Sequence, residues 1–143
     1  MKKQAGFTLI ELVIVIIILG ILAVTAAPKF LNLQDDARYS AAQGVQAALQ
    51  SASNLVYSKA VLEGKEAASS ATSLTGLSGV QVIYGYPTAS TISAAVTLDG
   101  WTVSGAGGTF VPQNTAGNNC SVVYTQATSA ATFSTKINGC SKP

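Results

Sequence analysis

An apolar segment close to the N-terminus constrains this chain more than any other feature of its sequence. Residues 7–27 carry one charged side chain, that of Glu11, in a stretch that is otherwise mostly aliphatic. At about 1.5 Å of helical rise per residue, a segment of this length spans a hydrocarbon layer of about 30 Å. A helix of this kind needs a membrane, or other apolar helices, to cover it.

The flanking residues and the single acidic residue allow three interpretations of this segment. Because Lys2 and Lys3 precede it, the basic end should stay in the cytoplasm and the rest of the chain should be exported. The segment is then a conventional secretory signal removed near Ala27, a permanent single-span anchor, or a helix whose Glu11 finds a partner in a final assembly. A carboxylate inside a membrane costs roughly 2.5–3.5 kcal/mol on insertion scales. A removable signal has no reason to carry that cost, which favours the third interpretation.

Residues 6–12, which read GFTLIEL, resemble the processing signature of type IV prepilins. The resemblance implies a leader of residues 1–6, removed by a prepilin peptidase that cuts between Gly6 and Phe7. It also implies that the new N-terminal residue, Phe7, is N-methylated and that Glu11 is required for assembly. Residues 7–28 would then form a transmembrane helix in the precursor and an assembly helix in the product.

Cleavage at this position would give Glu11 a physical partner. It creates an amino group on Phe7, so a buried cation and a buried anion can pair between neighbouring copies, where a low dielectric strengthens their attraction. Either charge left unpaired in an apolar setting is costly. We therefore expect Glu11 to set the register between copies, and we expect a Glu11→Ala variant to fold and insert without forming filaments.

Two residues weaken the predicted helix. Gly20 costs about 1 kcal/mol in a helix interior, and Pro28 lacks a backbone donor and crowds the preceding turn. The resemblance implies that the stretch between them can lose helicity when a filament forms. The alternative for Gly20 is an ordinary kink in a membrane helix.

The helical pattern continues beyond Pro28 as an amphipathic segment over residues 29–60. Its apolar positions recur at i, i+4, i+7 and i+11 and so fall on one face; they are Val45, Leu49, Ala52 and Val56. The sequence therefore predicts one helix from Phe7 to about Ala60, bent near Pro28 and on the order of 80 Å long. Half of so long a helix must protrude from a domain of this size, and a protruding apolar helix needs a membrane or its own kind around it.

The junction between the two parts of the helix carries a small charge cluster of Asp35, Asp36 and Arg38. It is interpreted either as a solvated helix face or as a set of ion pairs between subunits. Residues 28–38, together with the YGYPT sequence at residues 84–88, are similar to one subgroup of type IV pilins, the mannose-sensitive haemagglutinin (MSHA) pilins. That similarity implies a role in surface attachment and biofilm-type adhesion.

Residues 61–143 are predicted to form a globular head. A loop over residues 64–79, with a short helix at residues 66–73, leads to strand and turn patterns. The predicted elements are strands at residues 80–84, 109–111, 121–126 and 132–138 and a helix at residues 89–98 capped by Thr88 or Ser90. We expect the four strands to form one antiparallel sheet against the long helix, which makes the fold α+β.

The chain has two cysteines, Cys120 and Cys140. They lie symmetrically about a turn near Ser129, so a hairpin would place them opposite each other, and an exported location permits a disulfide. The alternatives are two free thiols or a metal site, and a metal site lacks the histidines and carboxylates that would complete it. The resemblance to type IV pilins implies the same C-terminal disulfide loop, next to an exposed variable surface.

Composition limits the chemistry available to the chain. It has no histidine, which removes the commonest general base and metal ligand, so we expect neither an enzyme nor a cofactor or metal site. Net charge is +2 and falls to about zero without the two lysines of the leader, which leaves no basic footprint for nucleic acid. The aromatic residues that could stack on a surface glycan, with core packing as the alternative, are Tyr84, Tyr86, Trp101 and Tyr124.

The sequence is interpreted as the major structural subunit of a type IV pilus, a homo-oligomeric helical filament. Its expected partners are identical copies, the prepilin peptidase and the pilus assembly machinery. The precursor is expected in the inner membrane, and the product in an extracellular pilus (fimbrium) of a Gram-negative-type cell.

Two alternatives remain open. The first is a major pseudopilin of a type II secretion system, a class that typically binds calcium through C-terminal acidic residues. It is disfavoured because Asp99 is the one acidic residue after Glu66, and calcium needs several oxygen ligands. The second is a soluble secreted binding domain left by conventional signal removal.

Overall fold

The computed structural model of the chain describes residues 6–113 and 120–140. Residues 1–5, most of the predicted leader, lie outside the described residues. The elements are α1 (Leu9–Leu62), β1 (Thr72–Ser73), β2 (Gln81–Ile83), β3 (Tyr86–Pro87), α2 (Ile92–Ala95), β4 (Trp101–Ser104), β5 (Thr109–Pro112), β6 (Ser121–Thr125) and β7 (Ser134–Asn138). Antiparallel pairing gives a three-stranded sheet β1-β2-β3 and a four-stranded sheet β4-β5-β6-β7. The long helix and the antiparallel sheets confirm the α+β prediction.

Helix α1 contains 54 residues and runs unbroken through Gly20 and Pro28. It begins two residues after the predicted start, because Thr8 caps it, and it ends at Leu62, two residues after the predicted end. At about 1.5 Å per residue it is about 80 Å long. The single long helix is thereby confirmed, whereas the bend near Pro28 remains a prediction.

One face of the second half of α1 supports the head. The face predicted to be apolar is buried, and its residues are Ala42, Val45, Leu49, Ala52, Val56 and Ala60. Leu49 lies in one buried cluster with Ile92 of α2 and Val122 of β6, and Val56 lies in a second with Val82 of β2. Each sheet therefore packs on its own part of the helix face, and each fully buried aliphatic side chain contributes about 1.5–3 kcal/mol.

The predicted composition of the sheet is wrong in one strand. The strand predicted at residues 80–84 forms β2 of the three-stranded sheet, and the fourth strand of the larger sheet is β4. The cause is local: Tyr84 and Gly85 have φ values of 49° and 78° and form a two-residue turn that folds β2 back on β3. The glycine-rich turn at residues 105–108 likewise joins β4 to β5. Because each hairpin pairs strands that are neighbours in sequence, the two sheets stay separate.

The short helix predicted at residues 66–73 does not form. This segment contains turns and then β1. Its backbone is used by the neighbouring sheet, because the carbonyl of Ala68 accepts a hydrogen bond from the backbone N–H of Tyr84 at 2.8 Å. The Nζ of Lys65 also donates to the carbonyl of Ser73 at 2.8 Å. Contacts outside the segment therefore outweigh its weak helical pattern.

Helix α2 covers four of the ten residues predicted as helix, and neither predicted capping side chain caps it. The buried hydroxyl of Thr88 lies 2.7 Å from the hydroxyl of Thr91. The Thr91 hydroxyl oxygen in turn accepts from the backbone N–H of Gln81 at 3.0 Å. These hydroxyls hold the start of α2 to the edge of β2, so they are not available to cap the helix.

The hairpin of β6 and β7 carries the predicted disulfide. Its register pairs Ser121 with Asn138, which brings the two cysteines together just beyond the paired strands. Cys120 and Cys140 are bonded, with their Cα atoms 4.3 Å apart. The bond joins residues 20 positions apart, and closing a loop of that size contributes roughly 3 kcal/mol in the chain-entropy description. The predicted pairing is confirmed.

Candidate assembly surface

No part of the chain that the structure describes covers the first half of α1. Every large apolar side chain between residues 7 and 33 is exposed, from 38% at Val13 to 89% at Phe7. A soluble monomer rarely presents a continuous apolar patch larger than a few hundred Å². Helix α1 is also long and apolar enough to cross a membrane, judged by length and composition alone. This half of the helix is therefore a surface that something outside the chain must cover.

Glu11 lies in the first turn of α1, where it and Thr8 cap each other. The Oε2 atom of Glu11 accepts hydrogen bonds from the backbone N–H and from the hydroxyl of Thr8, each at 2.8 Å. The hydroxyl oxygen of Thr8 accepts from the backbone N–H of Glu11 at 3.4 Å. This reciprocal capping box fixes the start of the helix. Sequence reasoning missed Thr8, although Thr followed by Glu three residues later, before an apolar run, is the signal for it.

None of the described residues neutralises the charge of Glu11. Its carboxylate is exposed, its hydrogen-bond donors are the neutral groups of Thr8, and none of the described basic side chains forms an ion pair with it. Covering the surrounding apolar surface would remove water from this carboxylate, and a desolvated charge needs an opposite charge nearby. Glu11 therefore has the hydrogen-bond partners that a helix cap needs, but it has no described cation to form an ion pair with.

Gly6 and Phe7 lie just before the helix, exposed and outside regular secondary structure. A Cβ atom added to Gly6 would meet no other atom within 4 Å. The fold of this chain therefore does not require glycine there, and a requirement would come from an enzyme that binds the segment. The cleavage between Gly6 and Phe7, and the methylation of Phe7, remain predictions.

Gly20 and Pro28 are interior residues of α1. A Cβ atom at Gly20 would meet nothing within 4 Å. Pro28 has no N–H, so the carbonyl of Val24 loses its helical donor. Between them, the hydroxyl of Thr25 donates to the carbonyl of Leu22 at 3.1 Å. The structure places both residues in one continuous helix, and the loss of helicity between them remains a prediction.

The charge cluster after Pro28 is only partly paired within the chain. Arg38 lies 3.6 Å from Asp35, one turn before it on α1. Asp36 and the nearby Lys29 form no ion pair with any residue that the structure describes. The cluster thus leaves one cation and one anion available to groups outside the chain.

The C-terminal end of α1 is fixed to the head by charged hydrogen bonds at Glu63. Its carboxylate accepts from the Nζ of Lys65 at 2.8 Å and from the backbone N–H of Thr75 at 2.9 Å, and Lys59 lies 3.7 Å away. The bond from Lys65, followed by that from Thr75, lowers the pKa of the Glu63 carboxyl below its usual range. These bonds hold the loop after α1 against the helix end.

The aromatic residues considered for glycan contact do not form one surface. Tyr124 is buried, its hydroxyl donates to the carbonyl of Pro87 at 2.8 Å, and burial raises the pKa of Tyr124 to about 12. Trp101 packs against the larger core cluster from β4. Tyr84 and Tyr86 instead line a groove of about 330 Å³, which we call the tyrosine groove; its other lining residues are Tyr57, Glu66 and residues 127–132.

Two residues that shape the tyrosine groove could not be found from sequence patterns. Tyr57 belongs to α1, and its ring stacks on Tyr86 with ring centroids 4.6 Å apart. A Cβ atom at Gly85 would lie 2.7 Å from the ring of Tyr57, so glycine at this turn also allows the close approach of the helix. Tertiary packing brings these residues together, and the spacing in the chain carries no signal of it.

Comparison with known proteins gives several partial matches. The family profile described as the prokaryotic N-terminal methylation motif matches residues 1–27. Two fimbrial proteins from Pseudomonas aeruginosa are 46% identical over 72 residues, which are 50% of this chain and 44% of theirs. A type IV narrow pilus major component from Thermus thermophilus is 48% identical over 50 residues, 35% of this chain and 43% of its own. The type II secretion system core protein G of Pseudomonas aeruginosa is 44% identical over 43 residues, 30% of each chain.

The fold, the uncovered helix and these similarities make the chain type IV pilin-like. Over the matched residues it resembles pilus proteins, which are structural proteins rather than enzymes. Its similar proteins include both pilus proteins and a secretion-system protein, and the matched region spans less than half the length of the fimbrial relatives. No solved structure matches the chain.

Proposed function

We propose that this chain is the major structural subunit of a type IV pilus and that its copies polymerise through α1. The observation that carries the proposal is the uncovered apolar half of a helix about 80 Å long. This half carries one carboxylate, that of Glu11, which has no cationic partner among the described residues. A membrane covers this surface in the precursor, and the same surfaces of other copies cover it in the filament. The head stays outside, because it packs only on the second half of the helix.

Processing prepares the subunit for assembly. The precursor sits in the inner membrane, the prepilin peptidase cuts between Gly6 and Phe7, and Phe7 is N-methylated. The new amino group pairs with Glu11 of a neighbouring copy, where the low dielectric makes the attraction strong and the absence of a partner costly. Assembly then proceeds to an extracellular pilus of a Gram-negative-type cell, driven by the pilus assembly machinery.

The mass of the mature N-terminus tests this proposal. We expect the protein recovered from the cell surface to begin at Phe7 and to carry one additional methyl group. Electron microscopy of the same material should show filaments. A mature chain that begins near Ala27, recovered without detergent as a monodisperse protein, would contradict the proposal and favour a soluble secreted domain.

The second candidate is a major pseudopilin, which the similarity to core protein G supports. In the part of the chain that the structure describes, no group of three or more His, Cys, Asp or Glu side chains is placed to hold a metal ion. If the chain is a pseudopilin, deletion of its gene should impair protein secretion, and the parent cells should show no long surface filaments. Normal secretion together with the loss of surface filaments after deletion favours the pilus.

We further propose that the pilus is of the MSHA type and adheres to a surface glycan, and that the tyrosine groove binds this glycan. Its three tyrosine rings and one carboxylate suit stacking and hydrogen bonding to a sugar. Tyr84→Asn removes one ring at a turn position where Asn is favoured, so the turn is retained. We expect this variant to assemble normally and to attach less to glycan-coated surfaces; attachment equal to that of the parent chain would exclude the groove.

A further inference from the structure

We infer that Lys29 and Asp36 form a second ion pair between copies of this chain, on one face of α1 after Pro28 and in a register compatible with the pairing of Glu11. The inference rests on the proposed function, because it needs parallel copies of α1 packed together. It assigns a role to the two charges near Pro28 that form no ion pair with any other described residue.

The helical positions of these residues place them on one stripe of α1. An α-helix turns about 100° per residue, and Lys29 and Asp36 both lie in the part of α1 that follows Pro28. The seven residues from Lys29 to Asp36 make two turns less about 20°. The paired charges of the cluster lie elsewhere, since Arg38 is about 180° from Lys29 around the helix.

The head leaves this stripe free. Val45, Leu49 and Val56, which anchor the head, lie about 160° to 200° around the helix from Lys29. The stripe continues beyond Asp36 through positions that are all exposed: Ser40, Gln43, Ala47, Ser51 and Ser58. One side of α1 therefore binds the head, and the opposite side carries the unpaired charges and is available to other helices.

The two charges cannot satisfy each other within one chain. Stabilising pairs on a helix surface are three or four residues apart, whereas Lys29 and Asp36 are seven residues and about 10.5 Å of rise apart. Arg38, the nearest other cation, is taken by Asp35 at 3.6 Å. A partner from a second copy is the remaining way to neutralise both charges when water is removed from this face.

The register that pairs the amino group of Phe7 with Glu11 also suits Lys29 and Asp36. In both pairs the cation precedes the anion in the chain, by four residues in the first and seven in the second, or about 6 Å and 10.5 Å. A neighbour displaced in one direction along the axis can therefore make both contacts, and the long flexible stem of Lys29 spans the difference. Because each copy gives its cations to one neighbour and its anions to another, Lys29 and Asp36 must each face another copy in the stack.

A charge-swap series tests this pairing by counting surface filaments. Lys29→Glu and Asp36→Lys should each reduce filament number about tenfold or more, because each places like charges together in the stack. The double variant Lys29→Glu/Asp36→Lys should recover to within about threefold of the parent chain, because the pair is reversed rather than lost. The matched controls Lys136→Glu and Asp99→Lys make the same charge changes at exposed positions of the head and should assemble normally.

A second measurement uses the unmodified chain, so it does not depend on any variant folding. A carbodiimide couples an amine to a carboxylate only when the two are in contact, and treatment of intact filaments should give covalent dimers joined through Lys29 and Asp36. The inference is overturned if the double variant assembles no better than the worse single variant, or if dimers joined at these residues are absent. If the parent chain forms filaments and the single variants form as many, this pairing alone is refuted. If the parent chain forms no filaments and its mature N-terminus is not Phe7, the proposed function is refuted together with the pairing.

Discussion

The two halves of α1 belong to one helix and are built for different surroundings. Residues before Leu33 expose apolar side chains in every direction, whereas the later half buries one apolar face and exposes small and polar residues on the other. A helix that is apolar all round is covered all round, and an amphipathic helix is covered on one side. This chain therefore supplies the cover for the second half of α1 and relies on other molecules to cover the first half.

The largest effect is expected from a change that removes only the charge of the first half. Glu11→Gln keeps an oxygen that can accept from Thr8, so the capping box and the helix start remain. We expect filaments to be absent, as with Glu11→Ala, because the amino group of Phe7 loses its counter-charge. Circular dichroism should show unchanged helicity, and electron microscopy should show no filaments. Normal filaments from the Gln variant would assign Glu11 to capping alone.

In the second half, the expected loss is stability rather than assembly. Leu49→Ala empties a fully buried position and should lower the free energy of unfolding of the head by about 2–5 kcal/mol. Leu55→Ala is the matched control, because Leu55 is on the same helix and 73% exposed. Urea titration of the full chain in detergent measures both. Equal losses from the two variants would contradict the one-sided packing of this half.

Removing the disulfide should weaken the head by roughly 3 kcal/mol and leave the first half of α1 unaffected. The variant Cys120→Ser/Cys140→Ser should therefore insert into membranes as the parent chain does. Its urea midpoint, compared with that of the parent chain, measures the loss. An unchanged midpoint would mean that β6 and β7 are held by their strand pairing and core contacts alone.

The smallest effect concerns the end of α1 and depends on pH. The pKa of Glu63 is lowered in the folded head, so its contribution to stability is present above the usual carboxyl pKa and is lost as the pH falls through the folded value. The difference in urea midpoint between the parent chain and Glu63→Gln should therefore shrink from pH 7 to acidic pH. Glu66→Gln, at an exposed carboxylate without a described partner, is the matched control. A constant difference for Glu63→Gln would contradict the bonds from Lys65 and Thr75.

Sequence reasoning succeeded where the information is local. The apolar run and its 3.6-residue continuation predicted α1 to within two residues at each end. It missed Thr8 because the capping signal was not read, although the pattern is present. The cysteine spacing predicted the disulfide, because a hairpin places residues symmetric about its turn opposite each other.

The errors concern contacts between distant parts of the chain. The strands of the head were largely located, but the partner of each strand depends on turns such as the one at Tyr84, where a large residue adopts positive φ. The segment at residues 66–73 followed its sheet contacts rather than its weak helical pattern. Tyr57 reached the tyrosine groove through the packing of a helix on a hairpin, which no local pattern encodes.

The most direct test of this account is to determine what surrounds the first half of α1 in the assembled state. A cryo-electron microscopy reconstruction of filaments sheared from the cell surface would show these surroundings. Residues 7–33 of every copy should lie in the interior, with the carboxylate of Glu11 within about 4 Å of the amino group of Phe7 in a neighbour. Filaments in which this segment is absent, or lies on the outer surface with Glu11 facing solvent, would contradict the account.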